Sequence, residues 1–368
     1  MSTSDQQTSY PMMYPKNVTN IHLEPTTHCN AACPQCPRNV YGSKHSPSKF
    51  KLTHFDINLL NVLDSKSIKV VVINGNYGDI VMYPGGALAL VKPLIQKFPD
   101  AKIQIHTNGS ALNKREWVEM GKLGISVEFG IDGLTQEVHQ IYRQNTLLKR
   151  IFENAKSFID SGGHAHWAMT VFDHNKDEVE KAKQLSLDMG FEKFTARPST
   201  RFNGGRPSPI LNDDFSTKKW IWPAEGADWK FDTATRAIEV QHIFQEMSKN
   251  KSIVIRNVSS EQETTDVTCW SKENASIYIS AEGKVYPCCW TGRHELWENI
   301  CNTLDVPNNF NLLSPENPLK AILSHKFWEK LDTTINEKRP MKPCANSCSK
   351  RSKYTEQLSR SKITTINT

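Results

Sequence analysis

The chain is predicted to adopt an α/β fold, a partial barrel of β/α units with a small α+β unit behind it, and three observations predict it. Between Asn20 and Pro198, short apolar β-branched runs alternate with longer amphipathic stretches, the pattern of repeated β/α units around a parallel sheet. Polar, glycine-bearing turns follow those runs in order. From Cys269 onward the pattern changes to a hairpin, an amphipathic stretch and most of the cysteines.

The strand candidates are Ile21–Glu24, Ile68–Asn74, Lys102–His106, Ser126–Ile131, Ala165–Val171 and Lys193–Arg197. Between them lie helix candidates Phe55–Asp64, Gly86–Phe98, Lys114–Leu123, Leu147–Asp160 and Asp177–Met189, the last stopped by Gly190. Six such units make a partial (β/α)6 barrel of the TIM type. Working residues of parallel barrels sit at the C-terminal ends of strands. There the chain places its cysteine-rich loop, Gly75-Asn-Tyr-Gly-Asp79, Thr107-Asn-Gly109 and Asp132-Gly133. Asn-Gly and Asp-Gly are also ordinary turn residues, so the signal lies in their recurrence along one rim.

Residues 201–265 read as a bridging segment, with a loop at Asn203-Gly-Gly-Arg-Pro207, a helix over Ala234–Lys249 and a short strand over Ile253–Arg256. Its tryptophans, Trp220, Trp222 and Trp229, suit either a substrate cleft or packing between domains. In the C-terminal part, Ile277-Tyr-Ile279, a turn at Ala281-Glu-Gly283 and Val285-Tyr286 form a hairpin that delivers Cys288. Pro318–Leu331 reads as one amphipathic helix, with Cys344 and Cys348 beyond it.

With 368 residues, 38% of them apolar, the chain can bury an ample core. No apolar run reaches the length of a membrane span, and Met1–Asn20 lacks the charged start and apolar middle of a secretory signal. A cytoplasmic protein is expected. Nine cysteines in such a protein point to metal ligands or catalytic groups rather than disulfides. The net charge is +6, and the late basic runs Lys350–Lys353 and Arg360–Lys362 read as a solvated tail rather than a nucleic-acid site.

The most telling motif is Cys29-x3-Cys33-x2-Cys36, within Glu24-Pro-Thr-Thr-His-Cys-Asn-Ala-Ala-Cys-Pro-Gln-Cys-Pro-Arg-Asn39. A cubane iron–sulfur cluster normally takes four cysteines, so three on one loop leave one iron open. A structural zinc knot is the rival, but such sites usually pair C-x2-C with a second pair. The next cysteine here is Cys269, and His28 abuts Cys29, where both can rarely face one ion.

This loop resembles the signature of the radical S-adenosylmethionine (radical SAM) enzymes. The resemblance implies a [4Fe-4S] cluster whose open iron chelates SAM, splits the sulfonium with one electron and releases a 5′-deoxyadenosyl radical. It also implies a flavodoxin- or ferredoxin-type electron donor. Gly78-Asp-Ile-Val-Met-Tyr-Pro84 is similar to the family's glycine-rich, acidic strand-two motif, which makes Gly78 and Asp79 SAM contacts. Gln35 stands where the family places an aromatic near the adenine, and Asn108 where a polar residue meets the ribose or carboxylate. Asp132 and Arg143 resemble the S-x-D-G…R stretch, with Gly130 replacing its serine.

The second set, Cys269-x13-Gly283-x4-Cys288 with Cys344-x3-Cys348, resembles the SPASM/Twitch extension, which binds auxiliary iron–sulfur clusters. Two positions of the full SPASM run hold Ile335 and Lys338, so the one-cluster Twitch form is the better match. It implies one auxiliary [4Fe-4S] cluster on Cys269, Cys288, Cys344 and Cys348. Cys289 is expected to be a packed neutral thiol, and Cys301 is undecided. A zinc ribbon is the alternative for this segment.

The expected organisation is a flexible N-terminus over 1–18, the radical SAM core over 19–200, the bridge over 201–265, the cluster-binding domain over 266–353 and a flexible tail over 354–368. The expected function is hydrogen abstraction from a substrate that is then oxidised through the auxiliary cluster. A base near the attacked carbon removes a proton, and His106, Tyr77, Asp132 and Glu128 are candidates by position. The substrate is a small molecule or a peptide. About twenty residues precede the first strand, leaving no room for a leader-gripping winged helix and favouring a small molecule or leaderless protein site. The alternatives are a peptide- or protein-modifying maturase and, in another class, a non-catalytic zinc or iron–sulfur protein that binds nucleic acid.

Overall fold

The computed structural model describes residues 18–46, 50–64, 66–202, 205–225, 233–234, 237–238, 266–348 and 364–367. Six strands follow one another in the first half: β1 (Asn20–Leu23), β2 (Val70–Ile73), β3 (Lys102–Thr107), β4 (Ser126–Gly130), β5 (His164–Val171) and β6 (Lys193–Pro198). All six pair in parallel and in sequence order. Their helices are α1 (Leu88–Lys97), α2 (Lys114–Gly121), α3 (Gln136–Tyr142), α4 (Leu148–Ile159) and α5 (Val179–Met189).

Local chemistry sets the helix ends. Asn113 and Thr135 accept from amides in the first turns of α2 and α3, each cap contributing about 1 kcal/mol. Gly190 ends α5 at φ 87°, a left-handed conformation that glycine adopts without strain. The expected helix over Phe55–Asp64 is instead a 3₁₀ turn at Ile57–Val62, capped by Asp56, in a stretch with two asparagines and a valine that favour helix weakly. Helix α3 lies outside the helices expected from sequence.

The bridge contributes a hairpin, β7 (Ser208–Leu211) with β8 (Thr217–Ile221). Trp220 and Trp222 lie on or beside it and line neither cysteine cavity described below. Trp229, the strand Ile253–Arg256, nearly all of the helix Ala234–Lys249 and the two late basic runs lie outside the described residues.

The C-terminal segment comprises α6 (Trp270–Glu273), β9 (Ser276–Ile279), β10 (Val285–Tyr286), α7 (His294–Thr303), α8 (Leu319–Leu323), α9 (Phe327–Asn336) and α10 (Lys342–Cys348). The single helix expected over Pro318–Leu331 is broken. Ser324 bonds back to the Lys320 carbonyl at 2.9 Å, and the His325 ring stacks on Phe310 at 4.0 Å and accepts the Phe327 amide.

Strand β9 adds in parallel to the free edge of β1, and β10 pairs antiparallel to β9. Within the stretch expected as a tail, β11 (Thr364–Asn367) pairs antiparallel to β6. The nine-stranded sheet thus runs β10-β9-β1-β2-β3-β4-β5-β6-β11. One hydrophobic core joins Ile21, Ile73, Val127 and Trp167 to Ile277, Ile300 and Trp328, so residues 266–348 share sheet and core with the barrel. No helix among the described residues is long and apolar enough to cross a membrane.

Candidate active site

The β1 loop descends past Thr26, whose backbone lies against Gly78. A Cβ on Gly78 would come within 1.7 Å of the Thr26 carbonyl oxygen, so only glycine lets the loops after β1 and β2 touch. The contact is closed by the Asp79 amide, which donates to the His28 carbonyl at 2.9 Å. Cys29, Cys33 and Cys36 then line one cavity of about 400 Å³, together with Gly75–Asp79, His106–Asn108, Glu128, Gly130, Arg143, Ala168 and Arg197. These are the C-terminal ends of β2 through β6, as the sequence pattern required.

Burial and neighbouring acidic groups push the Cys29 thiol well up, and burial pushes Cys33 up to about 11. Cys29 and Cys33 are therefore held as protonated thiols, and a ligand carrying positive charge would favour their thiolates. Cys36 lies on the same wall, and its amide donates to the Cys33 carbonyl at 2.9 Å. Among the described residues no three His, Cys, Asp or Glu side chains converge on one ion-sized point. A four-iron cluster spreads its ligands more widely than a single ion, and three thiols around one cavity fit such a group.

Asp79 lines the cavity but spends its carboxylate on the neighbouring strand. One oxygen accepts the Thr107 hydroxyl and the other the Asn108 amide, both at 2.7 Å. Burial raises its pKa while these bonds oppose the shift. Asn108 donates to Asn30 at 3.0 Å and lies 3.8 Å from the Cys29 sulfur, so it steadies the cysteine loop.

Arg143 lines the cavity, whereas Asp132 lies behind it and is fully buried. Asp132 accepts Arg143 Nε and the Thr170 amide, both at 2.6 Å, which holds the guanidinium beside Cys33. Gly130 stands at the family's serine position because a Cβ there would lie 2.6 Å from an Arg143 nitrogen. His139 accepts the Asp132 amide at Nδ1 and so donates from Nε2 to Thr146; burial lowers its pKa to about 4. Gln35 is off the cavity wall: its side chain accepts from Ser199 at 2.7 Å, and its carbonyl accepts from Arg201 at 2.8 Å.

Of the candidate bases, Asp132 is consumed by its salt bridge, and Tyr77 is buried against Phe50, ring to ring at 4.5 Å. His106 and Glu128 pair across β3 and β4 at 3.3 Å, half exposed on the cavity floor. They belong to a rung, His106–Glu128–His166–Lys193, that the register of β3 to β6 places on one face. Above it Gly130, Ala168 and Thr195 are small and leave room.

The second cavity, about 600 Å³, is lined by Cys269, Cys288, Cys289, Cys344 and Cys348. Cys344 and Cys348 sit four apart on α10 and share a face. Burial pushes up the Cys344 thiol, and the nearby sulfurs of Cys288, Cys269 and Cys348 push it further. Burial and the adjacent Cys288 sulfur push the Cys289 thiol up to about 12, against the opposing charges of Arg293 and Arg201. Its carbonyl accepts from Asn76 at 2.8 Å, a direct link to the first cavity. Cys301 is fully buried in the core on α7. All nine cysteines are free. Arg197, near the end of β6, lines both cavities.

Sequence reasoning missed Glu24, which closes β1. It is buried, accepts the Tyr77 amide at 2.7 Å and the Tyr278 hydroxyl at 2.6 Å, and burial raises its pKa to about 7. A charged residue ending an apolar strand was the available signal.

Comparison with known proteins agrees with this geometry. Residues 23–185 match the model of the radical SAM superfamily. The Bacillus subtilis (strain 168) antilisterial bacteriocin subtilosin biosynthesis protein AlbA is 25% identical over 310 residues, covering 83% of this chain; the chain spans 60% of that protein's length. Native anSMEcpe with bound AdoMet superposes with a TM-score of 0.53 at 12% identity, over 93% of this chain and 95% of that one. The same protein with AdoMet and the Kp18Cys peptide gives 0.51 at 13% identity, over 93% and 95%.

Proposed function

We propose that this chain, whose residues 23–185 match the radical SAM superfamily model, oxidises a peptide or protein side chain, using a [4Fe-4S] cluster on Cys29, Cys33 and Cys36 and an auxiliary cluster on Cys269, Cys288, Cys344 and Cys348. The observation that carries the reading is the adjacency of the two thiol-lined cavities, which share Arg197 as a wall. A substrate lying at that wall is within reach of both centres. When bound, the cluster and SAM supply a 5′-deoxyadenosyl radical that abstracts hydrogen.

The chain's own residues do the positioning. Gly75 leaves room for the Glu24 carboxyl, Gly78 lets the loops after β1 and β2 touch, and Asp79 and Asn108 hold the cysteine loop against β3. Arg143, fixed by Asp132, presents a cation beside Cys33 for an anionic group of SAM. The His106–Glu128 pair takes the substrate proton. A peptide substrate is favoured over a small molecule by the relation to AlbA, a bacteriocin biosynthesis protein. Oxygen-sensitive clusters and nine free thiols suit the reducing cytoplasm.

Anaerobic reconstitution tests the reading. Two cubanes give about eight irons per chain, and dithionite then drives cleavage of SAM to 5′-deoxyadenosine. Bound zinc with no SAM cleavage overturns it.

A further inference from the structure

Arg197 stands where the two thiol-lined cavities meet, and among the described residues its guanidinium pairs with no carboxylate and donates no hydrogen bond. We infer that Arg197, assisted by Arg201 four residues on, is an anion site that seats a carboxylate of the peptide substrate between the two centres. The substrate class is thus an acidic one. The inference deepens the proposed function and rests on it, because the wall meets a substrate only if both cavities hold the centres named above.

Three observations carry it. Strand β6 alternates its faces: Phe194 and Ala196 are buried in the core, which leaves Arg197 exposed on the side of the cavities. Arg201, also exposed and on the wall of the first cavity, donates to the Gln35 carbonyl at 2.8 Å, and its charge reaches the Cys289 thiol. Two guanidinium groups therefore border the passage between the cavities without an acidic partner. The other charges of the first cavity are already matched. Asp79 accepts from Thr107 and Asn108, Glu128 meets His106 at 3.3 Å, and Arg143 meets Asp132 at 2.6 Å. Glu273, the carboxylate lining the second cavity, is exposed and pairs with neither arginine. SAM carries a single carboxylate, for which Arg143 stands beside the cysteine loop, so Arg197 is the cation left for the substrate. A guanidinium takes a carboxylate through two parallel bonds, which orients the bound group as well as holding it.

The probes are pools of short acetylated peptides with randomised neutral positions. One form carries an internal Glu and an amidated C-terminus, a second has Gln in its place and a free C-terminal carboxylate, and a third has Gln and an amidated C-terminus. Equilibrium dialysis against the reconstituted, SAM-loaded protein reads the retention of each form for the parent chain, R197Q and R197E. The parent retains a carboxylate form about tenfold better than the uncharged one, the size of one charge-assisted contact. Preference for the first form assigns the site to an acidic side chain, and preference for the second assigns it to the peptide's end. R197Q loses the preference, and R197E reverses it in favour of a pool bearing Lys, a gain that unfolding cannot produce. Equal retention of all forms by the parent overturns the proposal, as does a preference that survives in R197Q or R197E. So does an R197Q protein that loses iron and every pool alike, which marks a guanidinium that only balances a cluster's charge. A parent chain that binds zinc and cleaves no SAM defeats the proposed function instead.

Discussion

Tyr278 donates its hydroxyl to Glu24 at 2.6 Å, joining residues 254 apart in sequence. Because the other Glu24 oxygen accepts the Tyr77 amide, one buried carboxylate ties together the end of β1, the glycine loop after β2 and the hairpin that delivers Cys288. Both thiol-lined cavities therefore hang on the same anchor.

Burial raises the Glu24 pKa from 4.5 to about 7. A carboxyl raised on folding lends stability that is complete below its unfolded pKa and is lost as pH rises through the folded one. From pH 5.5 to pH 8 this group should cost the parent chain about 2 kcal/mol, the linkage value of that shift over that window. Glu24→Gln, which stays neutral, should flatten that part of the profile. Urea unfolding of both proteins at the two pH values checks it, and parallel profiles would falsify the assignment.

Serine substitutions should sort the cysteines. Replacing Cys29, Cys33 or Cys36 should abolish SAM cleavage and lower iron from about eight to about four per chain. Replacing Cys269, Cys288, Cys344 or Cys348 should lower iron similarly while reductive SAM cleavage persists. Cys289→Ser should keep full iron, since Cys269, Cys288, Cys344 and Cys348 are the four sulfurs that act on one another across that cavity. Iron assay with 5′-deoxyadenosine chromatography reads every case.

Asp132→Asn leaves the Arg143 guanidinium in the wall without its counter-charge. Losing one partner of a buried pair costs about 3–5 kcal/mol. Thermal unfolding should shift down accordingly, and SAM affinity should fall as the guanidinium loses its fixed position beside Cys33. Retained stability and retained affinity together would remove Asp132 from the positioning role.

Gly78→Ala must push the loop after β2 away from Thr26, since the added carbon would sit 1.7 Å from a backbone oxygen. The cost is about 3 kcal/mol or more, because backbone cannot give way as a side-chain tip can. SAM binding followed by equilibrium dialysis should be lost even where the fold survives.

The sequence by itself determined the alternation of strands and helices, the parallel order of β1 to β6 and the three-thiol loop at the end of β1. It did so because periodicity reports which side chains are buried, and short spacings such as Cys29-x3-Cys33-x2-Cys36 bring ligands together within one loop. The second thiol set was legible as a motif, and so was the hairpin at Cys288. Tertiary structure alone decided that β9 pairs with β1 and not with a separate sheet, because edge pairing depends on which strand is left uncovered. It also decided that Asp132 stands behind Arg143, that Gln35 faces Ser199, that Cys301 is core and that Glu24 and Tyr278 meet. Those outcomes follow from contacts between distant segments, where burial and hydrogen-bond satisfaction choose among partners that no local pattern distinguishes.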